Sequence, residues 1–192
     1  MGVAVLGGAF DPPHNGHVAL AQGAVAYFGA GRLLVRVVAA PGPRSVSASA
    51  DDRLALAKLA FGAVPGAEVA LDTHARTVDS LEALDLDDPV FLIGADELAS
   101  FSTWKEPERV LALARLGVAT RPGVASERLD AVIASLSRPD RVELFKIEQL
   151  PISSSEIRAR VARGESIGDL VPLPVAAEIE RRDLYRRPAG LD

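Results

Sequence analysis

The sequence predicts an α/β fold of the doubly wound type, a mostly parallel sheet flanked by helices, and three observations carry that expectation. Apolar runs of strand length alternate with stretches of helical period along most of the 192 residues. A glycine-rich segment falls between the first such run and the first helical stretch. The length lies near the roughly 150 residues usual for one domain. Residues 1–192 are therefore expected to form a single domain, with a helical part from about residue 151 packed on it.

Val3 to Leu6 is the first strand-like run. Val18, Ala21, Val25 and Phe28 recur at steps of three and four, which places them on one helix face ending near Gly29 and Gly31. Leu33 to Ala40 reads as a second strand, Leu54, Ala57 and Phe61 mark a second helix, and Ala67 to Leu71 fits a short strand. The pattern then repeats: Val78 to Leu84 helical, Val90 to Ile93 a fully buried strand, and Glu106 to Ala114 a helix with Pro107 near its first turn. Gly117 to Thr120 makes another strand end, and Leu129, Val132, Ile133 and Leu136 share a helix face. Val142 to Ile147 is interrupted by polar residues, which suits a sheet edge. Ser153 and Glu156 stand at capping-box spacing ahead of Ile157 and Val161, and Pro172 and Pro174 introduce a last helix through Ile179. The arginine-rich ERRDLYRRP that follows reads most simply as a solvated helix end.

Composition narrows the function classes. With 21 basic against 26 acidic residues, net −5 and no block of like charge, nucleic acid is not an expected partner. The absence of cysteine excludes disulfides, thiolate zinc, iron–sulfur clusters and a cysteine nucleophile. The start, MGVAVLGGAF, has no basic leader region and breaks at Gly7 and Gly8, and no run approaches the ~18 apolar residues of a membrane span. The expectation is a mature cytoplasmic protein without a membrane partner, its oligomeric state left open.

The segment GGAFDPPHNGH, Gly7 to His17, sits where the first strand ends and the first helix begins. Paired glycines let backbone approach a ligand, and amides at a helix start attract anions. Neither the dinucleotide G-x-G-x-x-G nor the G-x-x-x-x-G-K-[ST] loop is present. His14 and His17, three apart, face the same way on a helical turn, with Asp11 another three before them. These three could ligate a metal, and two histidines could merely cap a turn. Beside a glycine-rich anion site they are better explained as donors to phosphate oxygens. In PISSSEIRAR, Pro151 to Arg160, three hydroxyls at a helix start and Arg158 one turn in also suit phosphate, although such a cap is often ordinary. Both segments follow strands, and loops after strands of an open parallel sheet gather at one crevice.

GGAFDPPHNGH, then FLIGADELASFSTW, ATRPG and ISSSEIR, in that order, resemble the nucleotidyltransferase superfamily with paired HxGH and ISSTxIR motifs. Within it the chain is most similar to the nicotinate mononucleotide adenylyltransferases, and the likeness extends to Leu170–Pro172 and Leu184–Tyr185. That resemblance implies adenylyl transfer from ATP to nicotinate mononucleotide, with Mg²⁺ bound through the ATP phosphates and no metal held by the protein itself. It implies that His14, His17 and Arg158 hold phosphates and stabilise charge, and that Gly8, Ala9, Phe10, Gly94, Asp96, Ser153 and Ser154 line ATP. Ser155 stands where the family usually has threonine. Trp104 matches the tryptophan that stacks on the pyridine ring, its plain alternative being core filling, and Thr77 matches a residue that recognises the nicotinate carboxylate.

Two departures bear on the acceptor. The family's PPHK-like stretch is replaced by PGPRSVSASADD, where Arg44 is the nearest cation, and Arg76 stands where a tyrosine commonly precedes the threonine. Arg121, of the ATRPG segment, carries no more than a loose phosphate or loop role. Alternatives therefore stay open: another acceptor such as nicotinamide mononucleotide or phosphopantetheine, a non-catalytic nucleotide-binding paralogue, or a metal-dependent hydrolase.

Overall fold

Six strands form one sheet in the order β3-β2-β1-β4-β5-β6, and all five neighbouring pairs are parallel. A computed structural model describes residues 2–42, 46–120, 126–148 and 150–186, the side chains of 126–128 excepted. The strands are β1 (Gly2–Gly8), β2 (Ala30–Val38), β3 (Ala67–Asp72), β4 (Val90–Gly94), β5 (Arg115–Thr120) and β6 (Val142–Lys146). The helices are α1 (Asn15–Phe28), α2 (Ala50–Phe61), α3 (Thr77–Leu84), α4 (Ala95–Ala99), α5 (Pro107–Leu113), α6 (Ser126–Ala134), α7 (Ser154–Ala162) and α8 (Leu173–Arg181).

The period-2 alternation of the strands divides the core into two layers. Leu33, Val35 and Val37 of β2 pack on one face with Ala21 and Ala24 of α1, Phe61 of α2, Ile157 of α7 and Val175 of α8. Leu34 points to the other face, with Val78 and Leu81 of α3, Leu98 of α4, Val110 of α5 and Leu129 of α6. The helical region from about residue 151 thus contributes to the same core layer as β2. Gly29, at φ +59, closes α1 in the left-handed conformation that a side chain would resist, its N–H reaching Val25 O.

The strand order reverses between β1 and β4, which pair only over Ala4↔Val90 and Val5↔Phe91. Beyond that short ladder their carboxyl ends part, opening the crevice where open parallel sheets place ligands. β6 lies at the edge its polar interruptions predict, and β3 is the other edge.

Some expectations need correction. The core face of α2 is wider than the expected Leu54, Ala57 and Phe61: Leu54 packs against the core partly buried, and Arg53, Leu56 and Ala60 are buried beside Ala57 and Phe61. The short α4 and the 3₁₀ turn Phe101–Thr103 escape a periodicity argument, since neither completes two turns. Only half of the capping box forms: Ser153 Oγ accepts from Glu156 N at 3.2 Å, while the Glu156 carboxylate turns to Arg160 Nε. The tail after α8 is not simply solvated: Arg182 bonds Asp52 of α2 at 2.7 Å, and Tyr185 reaches Asp11. Among the described residues no helix is long and apolar enough to cross a membrane.

Candidate active site

The crevice at the carboxyl ends of the strands is a cavity of about 1160 Å³. Its wall includes Gly8, Ala9, Phe10, His14, His17, Thr77, Gly94, Asp96, Trp104, Ser153, Ser154 and Arg158. Every described candidate therefore faces one cleft. Arg44 lies outside the described residues, as does Arg121.

The early turn is built around α1. His14 is its N-cap and His17 its third residue, and the rings stack with centroids 3.7 Å apart. His17 Nδ1 accepts the His14 backbone N–H at 3.2 Å, which leaves the proton of a neutral His17 on Nε2. His14 Nδ1 is buried without a hydrogen-bond partner, an unsatisfied group of the kind expected where a ligand oxygen should arrive. Gly16 permits this packing, since a Cβ there would stand 3.0 Å from His14 Nδ1. Phe10, at φ +50, is held in a conformation costly for a side chain, with its ring edge-on to both His17 and Phe61.

Burial pushes the His14 imidazole down to about 4, and burial followed by the charge of His14 holds His17 well below the ordinary histidine value. Both rings are therefore neutral single donors at pH 7 in the free protein, and a polyanion beside them would favour their protonated forms.

The late turn docks directly on the early one. Arg158 Nη1 donates to Asp11 O at 2.7 Å, and Ser154 Oγ donates to Pro12 O at 2.8 Å. The same guanidinium lies 3.8 Å from Asp11 Oδ2. Asp11 is buried and fully committed: Oδ2 accepts from Ser47 N at 2.6 Å, and Oδ1 from Ala48 N at 3.1 Å and the Tyr185 hydroxyl at 2.9 Å. Burial and then the Asp11 charge hold the Tyr185 phenol well above its ordinary value, so it stays a donor. With its oxygens so engaged, Asp11 is an organiser of the loop and a poor metal ligand beside His14 and His17. Among the described residues no group of three His, Cys, Asp or Glu is placed to hold a metal.

Arg53 was not singled out by the sequence and is central to the support. Fully buried, it donates to Ala9 O, Val38 O, Ala39 O and Ala48 O, which ties the ends of β1 and β2 to the start of α2. The available signal was an arginine on the same helical face as Leu56, Ala57 and Phe61.

The far side of the cleft uses shorter connections. Asp72, buried at the end of β3, accepts from His74 N at 2.9 Å, pairs with His74 Nδ1 at 2.9 Å, and accepts from Ser80 Oγ at 2.5 Å. That clasp shapes the turn preceding Thr77, the first residue of α3. Trp104 packs on Phe101 and edge-on to Phe91 while still lining the cavity, so it serves the core on one side and faces the cleft on the other.

The sequence pattern of the cytidylyltransferase-like family matches residues 5–160. Relatives from Bordetella avium, Roseiflexus sp. and Thermomicrobium roseum, each named "Probable nicotinate-nucleotide adenylyltransferase", are 36%, 35% and 36% identical. They align over 96%, 96% and 95% of this chain and 98%, 98% and 90% of their own. The chain belongs to the nicotinate-nucleotide adenylyltransferase family of cytidylyltransferase-like proteins. The likeness of HxGH and ISSTxIR read from the sequence is thereby borne out.

The fold agrees. Two structures of Plasmodium falciparum nicotinic acid mononucleotide adenylyltransferase, one complexed with APC and one with NaAD, superpose with TM-scores of 0.77 and 0.79. Each is 16% identical; coverage is 96% of this chain in both and 96% and 97% of theirs. At that identity they speak for the architecture alone.

Proposed function

We propose that the chain transfers the adenylyl group of ATP to nicotinate mononucleotide, releasing pyrophosphate and giving nicotinate adenine dinucleotide. The observation that carries this reading is the docking of Arg158 and Ser154 on the Asp11–Pro12 backbone beside His14 and His17, which gathers phosphate-binding groups from two distant segments of a family member at one cleft.

An oxygen of the mononucleotide phosphate bonds to the α-phosphorus of ATP while the bond to the departing pyrophosphate breaks. A phosphate monoester is largely dianionic at pH 7, its second pKa being about 6, so no protein base is required. What the protein must supply is alignment and stabilisation of shifting charge. In this reading His17 donates Nε2–H to the α-phosphate as charge develops, and His14 and Arg158 hold the phosphate chain. Gly8, Ala9, Phe10, Ser153 and Ser154 shape the wall along ATP, with Gly94 and Asp96 toward the adenosine. Thr77 and Trp104 receive the mononucleotide, and Arg44 is the cation assigned to the loop after β2. The whole chain acts as one domain, the part from about residue 151 supplying Ser153 to Arg158.

The donor set fits a metal that arrives on the nucleotide. Mg²⁺ favours phosphate oxygens and water over a protein cage, and no such cage occurs among the described residues. When bound, Mg²⁺ neutralises part of the phosphate charge. A cytoplasmic setting accords with soluble nucleotide substrates.

Replacement of the PPHK-like stretch makes the acceptor the point to test. Pyrophosphate release from ATP and Mg²⁺ is measured with nicotinate mononucleotide, nicotinamide mononucleotide and phosphopantetheine. Release with the first is expected; release with another alone would reassign the acceptor. ATP binding without release would mark a sensor, and release without acceptor a hydrolase.

A further inference from the structure

We propose that Arg36 anchors the acceptor, its guanidinium holding an oxyanion of the mononucleotide on the side of the cleft opposite the histidines. The inference rests on the adenylyltransferase reading above and adds a residue to it.

Arg36 interrupts an otherwise apolar strand, in LLVRVV. β2 is an interior strand, and Arg36 lies between Gly7 of β1 and Ala70 of β3, so the side chain cannot leave through a sheet edge. A charge in such a place is costly without a partner. Among the described residues it has none: its Nε is buried without a hydrogen bond, and the guanidinium makes no ion pair. The contrast with other arginines is sharp. Arg53 is satisfied by four carbonyl oxygens and Arg158 bonds Asp11 O. Nor does Asp72 serve, because its carboxylate is taken up by His74 and Ser80. What Arg36 does face is the cavity.

Strand alternation fixes which side of the cavity. Leu33, Val35 and Val37 belong to the layer of α1 and α7, whereas Leu34 belongs to the layer of α3 and Trp104. Two residues on from Leu34, Arg36 shares that second face. Its register neighbour Gly7 has no side chain, and a Cβ there would meet Phe91, the ring against which Trp104 packs. Arg36 therefore stands toward Trp104 and Thr77, away from the helices that carry His14, His17 and Arg158. The ATP phosphates are accounted for on the other face; the anion left to Arg36 is the acceptor's.

Nicotinate mononucleotide carries two oxyanions, a phosphate and a ring carboxylate, and a guanidinium fork matches either. Nicotinamide mononucleotide carries only the phosphate. Steady-state pyrophosphate release by wild type, Arg36→Gln and Arg36→Lys, with each mononucleotide, tests the assignment. Arg36→Gln should raise the acceptor KM about 10–100-fold, the scale of a lost charged hydrogen bond, with the KM for ATP within about two-fold. Arg36→Lys should recover part of the loss. A carboxylate contact confines the effect to nicotinate mononucleotide, whereas a phosphate contact raises both acceptor KM values alike. Arg36→Met, which keeps the apolar stem, repeats the test should the glutamine variant not fold. An unchanged acceptor KM in a folded variant overturns the assignment while leaving the reaction standing. Wild-type protein that releases no acceptor-dependent pyrophosphate overturns the reaction and Arg36 with it.

Discussion

The two sides of the cleft are held together differently. On the side of α1 and α7, the bonds from Arg158, Ser154 and Tyr185 to Asp11 and Pro12 join residues 147, 142 and 174 positions apart. On the side of α3 and Trp104, the clasps are local: His74 and Ser80 bond Asp72 from 2 and 8 positions away, and Lys105 meets Asp79 from 26. The first side is an assembly of chain ends that exists only in the completed fold. The second is a set of turns that can change without disturbing the rest. That difference suits the reaction proposed above, which puts the phosphate chemistry on the first side and the acceptor on the second, where Arg76 stands in place of the family's usual tyrosine.

Removing the brace beneath the assembled side should have the largest effect. Arg53→Ala leaves four backbone carbonyls without their donor in the core, and a loss of about 3–5 kcal/mol is expected in denaturant unfolding. A change below ~1 kcal/mol would show that the carbonyls find other partners and that the brace is dispensable.

Next comes His17→Ala, expected to lower kcat by about 10²–10³ with the fold retained, on the scale of a lost oxyanion donor. Near-wild-type turnover would remove His17 from the chemistry. Arg158→Lys keeps the charge and loses the fork that spans Asp11 O and the cleft, so the KM for ATP should rise about ten-fold while the acceptor KM holds. Equal rises for both substrates would mean that the two sides of the cleft are not independent.

The histidines also leave a stability signature. Their folded forms take up protons only well below the ordinary value of 6.5, whereas the unfolded chain takes them up near it, so the unfolded state binds more protons in between. Stability is complete above about pH 7 and is lost as pH falls from 6.5 toward 4, at up to about 1.4 kcal/mol per pH unit per histidine. Urea midpoints across that range should slope in wild type and flatten in a His14→Gln, His17→Gln variant. Parallel profiles for the two proteins would place the protonation elsewhere. The smallest effect expected is Thr77→Ser, which keeps the hydroxyl and should change the acceptor KM by no more than about four-fold, the scale of a lost methyl contact.

Much of this was legible before coordinates. The strand and helix alternation gave the sheet, and the glycine pair, the histidine spacing and the serine–arginine cap located the assembled side, because each uses a local pattern with a chemical meaning. What Arg53, Tyr185 and Arg36 do was not legible. Arg53 sits inside an apolar helix face and reads as surface until its four acceptors are seen. Tyr185 falls within the family likeness, but in a charged tail that suggested solvent, and its partner Asp11 lies at the other end of the chain. Arg36 looks like an irregularity in a strand until register and alternation show which face it occupies. What sequence pattern conveys is local, and these three residues act across distance.

The direct measurement is a crystal structure with Mg²⁺ and a non-hydrolysable ATP analogue. One triphosphate with both imidazoles and the Arg158 guanidinium within about 3 Å of its oxygens is the predicted result. Nucleotide seated elsewhere, or phosphates touching only one of the two turns, would contradict it.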